Sequence, residues 1–268
     1  MVWCSRWTVD ATSGDSAAAT RAPVAFARVV VIGGGCYGRW YAGQLARAAR
    51  RGALIVDDVV VVDRNPACLV AVGLRDGSFD GLPLRLDCNN WSDYLAGWLA
   101  SGVDALARDA LVPSPLMPHV CLDWLVARAQ ARWPTRAVRV APIPRLTGLP
   151  WERGAPDGRH YVSFATWMCP VNCIEPARCP ETRGPRDWSL PPALATYVAA
   201  GVGTDAPPLR GPVIFHCVHR TYGVGMIDAA PIAQADVDIA AWGTDGPLAV
   251  LVGTVSHCHG ALGVLDIT

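Results

Sequence analysis

The chain alternates between short apolar runs and longer amphipathic stretches, and the clearest example lies near its start. Residues 28–32 (RVVVI) form a β-branched run of strand length, and residues 59–63 (VVVVD) form a second one. Between them, the apolar residues Tyr41, Leu45 and Ala48 recur at helical spacing. β-branched runs favour strands, and an apolar period of three to four residues favours a helix. We therefore predict a strand–helix–strand unit with two buried strands.

The alternation continues beyond this unit and predicts the fold class. Alternating strands and helices are typical of an α/β protein with a Rossmann-type, doubly wound parallel sheet. We expect this dinucleotide-binding domain to span residues 28–148, after a flexible segment at 1–27. The further predicted elements are strands at 82–88, 109–114 and 137–143 and helices at 89–101 and 118–133.

The character of the sequence changes near residue 149, where glycine, proline and aromatic residues become frequent. We predict a smaller, cysteine-rich α+β part over residues 149–268 that binds a metal. Apolar runs at 212–218 and 248–255 predict two later strands. These strands either belong to that separate part or extend the first sheet, and the sequence leaves both arrangements open.

Composition narrows the class of function. Apolar residues make up 51% and charged residues 17% of the 268 positions, which is typical of a globular protein with a large core. The formal net charge is zero, and this disfavours a nucleic-acid partner, because such proteins usually carry a basic face. The chain contains no lysine, which excludes Schiff-base catalysis through lysine and a P-loop.

The sequence also suggests the cellular compartment of the protein. No apolar run is long enough to span a membrane, and the first residues lack the apolar core of a signal peptide. We therefore expect a cytoplasmic protein with a small-molecule substrate and no membrane partner, with a homo-oligomer left open. In a reducing compartment the ten cysteines should be thiols or metal ligands rather than disulfides.

A glycine motif follows the first predicted strand directly. It reads Gly33-x-Gly35-x-x-Gly38, and Asp63 ends the next predicted strand. In a dinucleotide-binding fold such glycines let backbone amides approach a pyrophosphate at the helix N-terminus, and the acid binds the adenosine ribose. We therefore predict that NAD(H) or NADP(H) binds at this turn.

Three further residues belong to the predicted nucleotide site. Cys36 and Tyr37 lie inside the motif, and Arg64 follows the acid. An arginine beside the ribose can accommodate a 2′-phosphate, so NADP(H) stays open. The alternative is a Rossmann-like domain that has lost its ligand and uses the glycine turn only to pack the helix.

Two more candidates come at the end of the fourth predicted strand, where Ser114 is followed by His119. In open α/β sheets, ligands bind beyond the carboxyl ends of the strands. We predict that Ser114 contributes to cofactor binding. We predict that His119 is the catalytic proton donor, because an unperturbed imidazole titrates at about 6.5. The alternative for His119 is a surface or capping role at the start of a helix.

Three cysteines lie close together in the segment MCPVNCIEPARCP, where prolines block regular structure. They are Cys169, Cys173 and Cys179. Clustered thiolates ligate zinc or an iron–sulfur cluster, although this spacing is neither that of a zinc ribbon nor that of a ferredoxin. We predict one such metal centre, with Cys258 or His259 as the fourth ligand. The alternative is a redox-active thiol set or ordinary loop cysteines.

A second segment also combines histidine and cysteine at a strand end. His216, Cys217 and His219 follow an apolar run of strand character. For this segment we favour a structural interpretation, in which the cysteine is buried and the histidines line the strand.

These motifs together resemble those of an uncharacterised bacterial family. Its members pair a TrkA-N-like nucleotide-binding start, the source of the label "potassium transporter", with a CPxxCxEPxxC segment and a final CHG. The resemblance covers most of residues 28–268 and departs at Ser256, where the family motif has cysteine. It implies that the following residues belong to the family pattern: Cys169, Cys173, Glu175, Pro176, Cys179, Gly223, Gly225, Cys258, His259 and Gly260.

Three classes of function fit these patterns. The first is an NAD(P)-dependent oxidoreductase in which the nucleotide and a cysteine-bound metal meet in one cleft. The second is a sensor that binds NAD(H) and reports redox or metal state to a partner. The third is a protein that handles a metal or a tetrapyrrole.

Overall fold

The computed structural model describes residues 22–144, 147–169, 173–201 and 208–268. The helices in this part of the chain are α1 (Cys36–Arg50), α2 (Leu69–Arg75), α3 (Trp91–Leu99), α4 (Val120–Arg132), α5 (Leu190–Ala199) and α6 (Ala229–Trp242). The strands are β1 (Val24–Ile32), β2 (Leu54–Val62), β3 (Leu84–Asp87), β4 (Asp109–Val112), β5 (Val138–Ala141), β6 (Trp151–Gly154), β7 (His160–Ser163), β8 (Leu209–His216), β9 (Val218–Thr221), β10 (Val224–Asp228), β11 (Leu248–Val255) and β12 (His259–Ile267).

The first sheet has the order β3-β2-β1-β4-β10-β9. Its first four strands run parallel. Residues 29–32 of β1 and 59–62 of β2 are buried, as expected for parallel strands that are covered on both faces. Strand β10 pairs antiparallel with β4, and β9 pairs antiparallel with β10. The parallel part therefore comes from the start of the chain and the antiparallel edge from much later residues.

The second sheet has the order β6-β7-β12-β11-β8, and β5 also pairs with β12. Strands β11 and β12 form a long antiparallel hairpin, and β8 runs parallel to β11. Nearly every residue of this hairpin is buried, which explains why it reads as two continuous apolar runs in the sequence.

One apolar core joins the two sheets. Ile32 of β1, Leu122 of α4, Ile232 of α6 and Leu265 of β12 belong to the same cluster of buried side chains. Helix α4 packs on β11 and β12, and α6 packs on β4 and β8. Helix α6 contacts strands of both sheets, and α4 packs against α6, so the two sheets are connected through this helical layer.

The predicted α/β class is confirmed, whereas both sheets are mixed rather than purely parallel. The strand predicted at 137–143 is β5, which pairs antiparallel with β12 instead of extending the first sheet. The strands predicted at 212–218 and 248–255 are β8 and β11, and they lie in the second sheet. A short apolar run gives no information about its pairing partner, because that partner lies far away along the chain.

The predicted flexible segment at 1–27 overlaps the first strand, since β1 begins at Val24. The rest of that segment, residues 1–21, lies outside the described residues. Within the described ranges, no helix combines the length and the apolar character that a bilayer crossing requires.

Candidate functional site

The glycine motif forms the turn between β1 and α1. Gly33 adopts a φ of +85°, which favours glycine, and Gly35 is the N-cap of α1. A Cβ atom at Gly38 would overlap the carbonyl oxygen of Gly33, so the first turn of the helix packs directly on the loop. A Cβ atom at Gly35, in contrast, would meet no atom of the described residues within 4 Å. Gly38 is therefore required by packing, whereas Gly35 is not packed against any described residue.

Asp63 is tied to this loop. Its carboxylate accepts hydrogen bonds from the backbone N–H of Gly34 at 2.6 Å and of Asn65 at 2.8 Å. Arg64 is exposed, and its guanidinium lies over the ring of Trp91 at 5.1 Å. The predicted acid thus lies beside the glycine loop, where the nucleotide prediction requires it.

The first backbone amides of α1 have no side-chain cap from the described residues. The helix has no acidic residue in its first turn. Tyr37 is half-buried and Gly35 is exposed at this end. Cys36, the first residue of the helix, is disulfide-bonded, which corrects the expectation that every cysteine is a thiol or a metal ligand.

Ser114 lies just beyond β4, and β4 is the neighbour of β1 in the sheet. Because the chain moves from β1 outward to β2 and β3 and then returns to β4, the two loops flank the position where the strand order reverses. Ser114 is buried and its hydroxyl accepts a hydrogen bond from the backbone N–H of Leu116. It lines a cavity of about 300 Å³ together with Tyr41 and His259.

His119 precedes α4 and contacts Tyr161 of β7. The Nε2 atom of His119 lies 2.8 Å from the Tyr161 hydroxyl, and the two rings meet edge to face. Burial lowers the pKa of His119, and the charge of Arg159 acts in the same direction. The tyrosine, rather than the histidine, is among the residues that line the 300 Å³ cavity.

All five predicted metal ligands line one larger cavity of about 680 Å³, which we call the cysteine cavity. Tyr41 of α1 and Pro115, next to Ser114, line it as well. The cavity therefore lies at the carboxyl edge of the parallel strands, between α1 and the second sheet. The five residues are Cys169, Cys173, Cys179, Cys258 and His259.

A buried carboxylate organises the wall of the cysteine cavity. Glu175, at a φ of +50°, accepts hydrogen bonds from the Ser256 hydroxyl and from the backbone N–H groups of His257 and Cys258. Burial opposes ionisation, but these hydrogen bonds and the charge of His219 lower the pKa of Glu175 overall. These hydrogen bonds hold the segment around Glu175 against the turn that carries Cys258.

Ser256 is a central residue of this turn. Besides donating to Glu175, its oxygen accepts hydrogen bonds from the backbone N–H groups of Cys258 and His259. The Ser256 hydroxyl therefore stabilises the turn that carries Cys258.

The hydrogen bonds of His259 define its tautomer. The hydroxyl of Ser163 donates to the carbonyl of Ala165, so it accepts from Nδ1 of His259 at 2.9 Å. The Nε2 atom then carries the lone pair. Burial lowers the pKa of His259, and the charge of Glu175 partly opposes this effect. Because the pKa is lowered overall, the ring is neutral at neutral pH. Metal-binding histidines are commonly oriented by such a hydrogen bond to the other ring nitrogen.

His219 has the same arrangement, although the sequence pattern favoured a structural role for it. Its Nδ1 lies 3.2 Å from the carbonyl oxygen of Gly223, which can only accept, so in the neutral ring Nε2 carries the lone pair. His219 lines the cysteine cavity as well.

The thiols of the cavity differ in acidity. Burial raises the pKa of Cys169 and raises that of Cys258 to about 12, so both are protonated at neutral pH. Hydrogen bonds from Thr182 lower the pKa of Cys179. Among the described residues, no three His, Cys, Asp or Glu side chains converge closely enough to hold a metal ion. The predicted ligands thus share a cavity without forming a closed site.

Sequence reasoning missed Ser163 and assigned no site role to Glu175 or His219, all of which shape this cavity. Glu175 entered only as part of a family motif, and Ser163 was not considered. His219 lies on β9, whose place at the edge of the first sheet brings it to the cavity. The signal for Glu175 was a lone acid among cysteines and prolines, in a segment that otherwise offers no carboxylate until Glu181.

Comparison with known proteins gives a single kind of match. The family model AF_1314_C, described as "Uncharacterized protein, C-terminal domain", matches residues 121–268, more than half of the chain. No curated protein and no solved structure matches the chain significantly. The matched region contains all the ligand candidates of the cysteine cavity and begins inside α4.

Proposed function

We propose that this chain, which belongs to the family defined by the AF_1314_C domain, is an NAD(P)-dependent oxidoreductase with a metal centre in its cysteine cavity. Its N-terminal strands would form a Rossmann-type, TrkA-N-like nucleotide site. The substrate would be a small molecule bound between the nucleotide and the metal.

One observation carries this proposal. The cysteine cavity is lined by Tyr41 of α1 and by Pro115 after β4, and these elements flank the point where the strand order of the first sheet reverses. Open α/β sheets bind their ligands at this point. A nucleotide on the glycine loop would therefore extend toward the cavity that contains the cysteines.

The residues of the loop fit a dinucleotide. Gly35 is not packed against any described residue, the N-terminus of α1 has no acidic residue, and Asp63 is next to the loop. The helix N-terminus would hold the pyrophosphate, and Asp63 would accept hydrogen bonds from a ribose. The nicotinamide ring supplies hydride transfer when it is bound.

The donor set of the cavity fits zinc or an iron–sulfur centre. Four thiols and the imidazole of His259 line it, and His259 presents Nε2 with Nδ1 already held by Ser163. A metal bound here can polarise a substrate oxygen or pass electrons. Cys169 and Cys258 would lose their protons on metal binding, so binding should release protons and strengthen as pH rises.

His119 would donate a proton to the substrate through the hydroxyl of Tyr161. Its Nε2 is hydrogen-bonded to Tyr161, and Tyr161 lines the smaller cavity next to Ser114. A proton can pass from the imidazole to the cavity through the tyrosine hydroxyl. The predicted role of His119 as acid is thus kept in the proposal, acting through Tyr161 rather than by direct contact with substrate.

The nucleotide site can be tested at Gly35. The Gly35→Asp variant should fold as well as the wild type, because a Cβ atom there meets no atom of the described residues and an acidic N-cap is favourable by about 1 kcal/mol. It should lose NAD(H) binding, since the new carboxylate repels the pyrophosphate. Calorimetric titration with NADH and NADPH measures this. Gly35→Asn has the same shape without the charge and should also weaken binding, because its side chain occupies the backbone amides that would hold the pyrophosphate, and the difference between the two variants measures the effect of the charge. Equal NADH affinity in wild type and Gly35→Asp would refute the site.

The metal site can be tested at Cys173. After anaerobic purification, elemental analysis should find zinc or iron in the wild type and lose it in Cys173→Ser. Cys88, an exposed cysteine beyond β3, lies outside the cavity, so Cys88→Ser is the matched control and should keep its metal. Full metal content in Cys173→Ser would show that the thiol is not a ligand. Absorbance near 400 nm would distinguish an iron–sulfur centre from zinc.

A second candidate function is a sensor of metal or redox state. It is favoured by the unequal acidity of the thiols, since hydrogen bonds from Thr182 lower the pKa of Cys179 whereas burial raises that of Cys169. A thiol with a lowered pKa is the form that is oxidised reversibly, as a redox sensor requires. Turnover of NADH with any substrate would favour the enzyme, whereas nucleotide and metal binding without turnover would favour the sensor.

A further inference from the structure

A second cavity of about 660 Å³ borders the cysteine cavity. It lies between α1, the β9–β10 hairpin and the loop around Glu175. Glu175, Pro176, Arg186 and His219 line both cavities, so the two share a wall.

The lining of the second cavity is positively charged. Three arginines, Arg47, Arg186 and Arg220, line it. Glu175 is the one acid among its described lining residues, and its carboxylate already accepts hydrogen bonds from the turn at Ser256. The lining thus contains three guanidinium charges and one carboxylate, and that carboxylate is already hydrogen-bonded to the turn at Ser256.

Two of the three arginines are incompletely paired, whereas Arg186 donates to the carbonyls of Glu175, Pro176 and Trp188. Arg220 forms an ion pair with Asp228 through Nη2 at 2.5 Å, but its buried Nε has no hydrogen-bond partner in the described part of the chain. Arg47 lies over the ring of Tyr222 at 5.5 Å and forms no ion pair with a described acid. A buried guanidinium N–H without an acceptor is costly, and an oxyanion that reached Arg220 would engage a donor that the described residues leave unused.

We propose that this second cavity binds the phosphate or carboxylate group of a small molecule. Guanidinium groups bind such oxyanions bidentately, and partial burial strengthens each hydrogen bond. Since His219 lines both cavities, the rest of the ligand can reach the cysteine cavity past this side chain. The inference goes beyond the proposed oxidoreductase and does not depend on nucleotide or metal binding.

The test uses the full chain, with inorganic phosphate and acetate as probes in calorimetric titrations at constant ionic strength. Arg47 is exposed, so Arg47→Gln should fold normally. Loss of one charged partner should weaken binding of the preferred probe by about tenfold or more. Arg51→Gln, at the exposed C-terminal end of the same helix, lowers the net charge equally and should leave the affinity unchanged.

The glycine loop is the other place where phosphate can bind, and Gly35→Asp separates the two sites. Probe binding that survives Gly35→Asp and is lost in Arg47→Gln supports the second cavity, even if NADH binds nowhere. A preference for phosphate or for acetate identifies the anion. Binding that is lost in Gly35→Asp but unchanged in Arg47→Gln overturns the proposal, as does the absence of binding by both probes. If Arg51→Gln weakens binding as much as Arg47→Gln, the effect is general electrostatics and the proposal fails.

Discussion

Replacing Gly38 by alanine is expected to destabilise the protein and to abolish nucleotide binding. A Cβ atom at this position would overlap the carbonyl oxygen of Gly33, which belongs to the backbone and cannot rotate away. The helix must therefore shift away from the loop, at a cost of about 3 kcal/mol or more. Urea denaturation would measure the loss of unfolding free energy, and titration with NADH would measure the loss of binding.

Gly35→Ala is the matched control for this prediction. Both glycines belong to the same motif, but the added methyl group at Gly35 meets no atom of the described residues and the backbone φ of −74° suits alanine. Gly35→Ala should therefore lose much less unfolding free energy than Gly38→Ala. Similar stability losses in the two variants would show that the loop does not pack as described.

Replacing Glu175 by glutamine should weaken the fold around the cysteine cavity. The carboxylate accepts three hydrogen bonds from the turn that carries Cys258, and an amide offers one acceptor oxygen and an unmatched N–H₂ group. Removing a buried charged acceptor should cost about 3 kcal/mol at neutral pH. Glu181→Gln, an exposed acid on the same loop, should be nearly neutral. A stable Glu175→Gln variant would contradict the role of this carboxylate.

The contribution of Glu175 also has a defined pH dependence. Its pKa in the folded protein is lowered relative to that of a free glutamate. The ionised form is therefore favoured by folding, and its contribution to stability is complete above the unfolded pKa of about 4.3. It is lost as pH falls below that value through the folded pKa. The stability difference between wild type and Glu175→Gln should accordingly be constant from pH 7 to about 5.5 and shrink at lower pH.

Local patterns in the sequence were sufficient to predict the start of the fold. The β-branched runs before Gly33 and Asp63 form adjacent parallel strands, and the glycine turn lies between β1 and α1. Each of these features depends on residues close together in the chain. The five metal candidates also line a single cavity, although they come from two segments far apart. Their metal and the nucleotide remain predictions.

Long-range pairing could not be predicted. The run VRVA at 138–141 alternates apolar residues with Arg139, and this pattern alone does not show that it pairs antiparallel with β12 in the second sheet. The importance of His219 depends on β9 lying at the edge of the first sheet. The role of Ser163 depends on pairing with His259, since β7 and β12 are neighbours. The spacing of residues along the sequence does not predict such long-range contacts.

The pairing of β4 with β10 has a consequence for how the chain is made. During synthesis, β1, β2, β3 and β4 leave the ribosome first. One edge of β4 then stays unpaired until residues 224–228 are synthesised much later. An unpaired edge strand is a template for association with other chains. The region matched by the family model carries β9 and β10 but not the strand that they complete, so a fragment cut at the start of α4 would leave each piece with an open sheet edge. Each piece would therefore expose an edge that is paired in the whole protein, and each should associate with other chains more readily than the intact protein does.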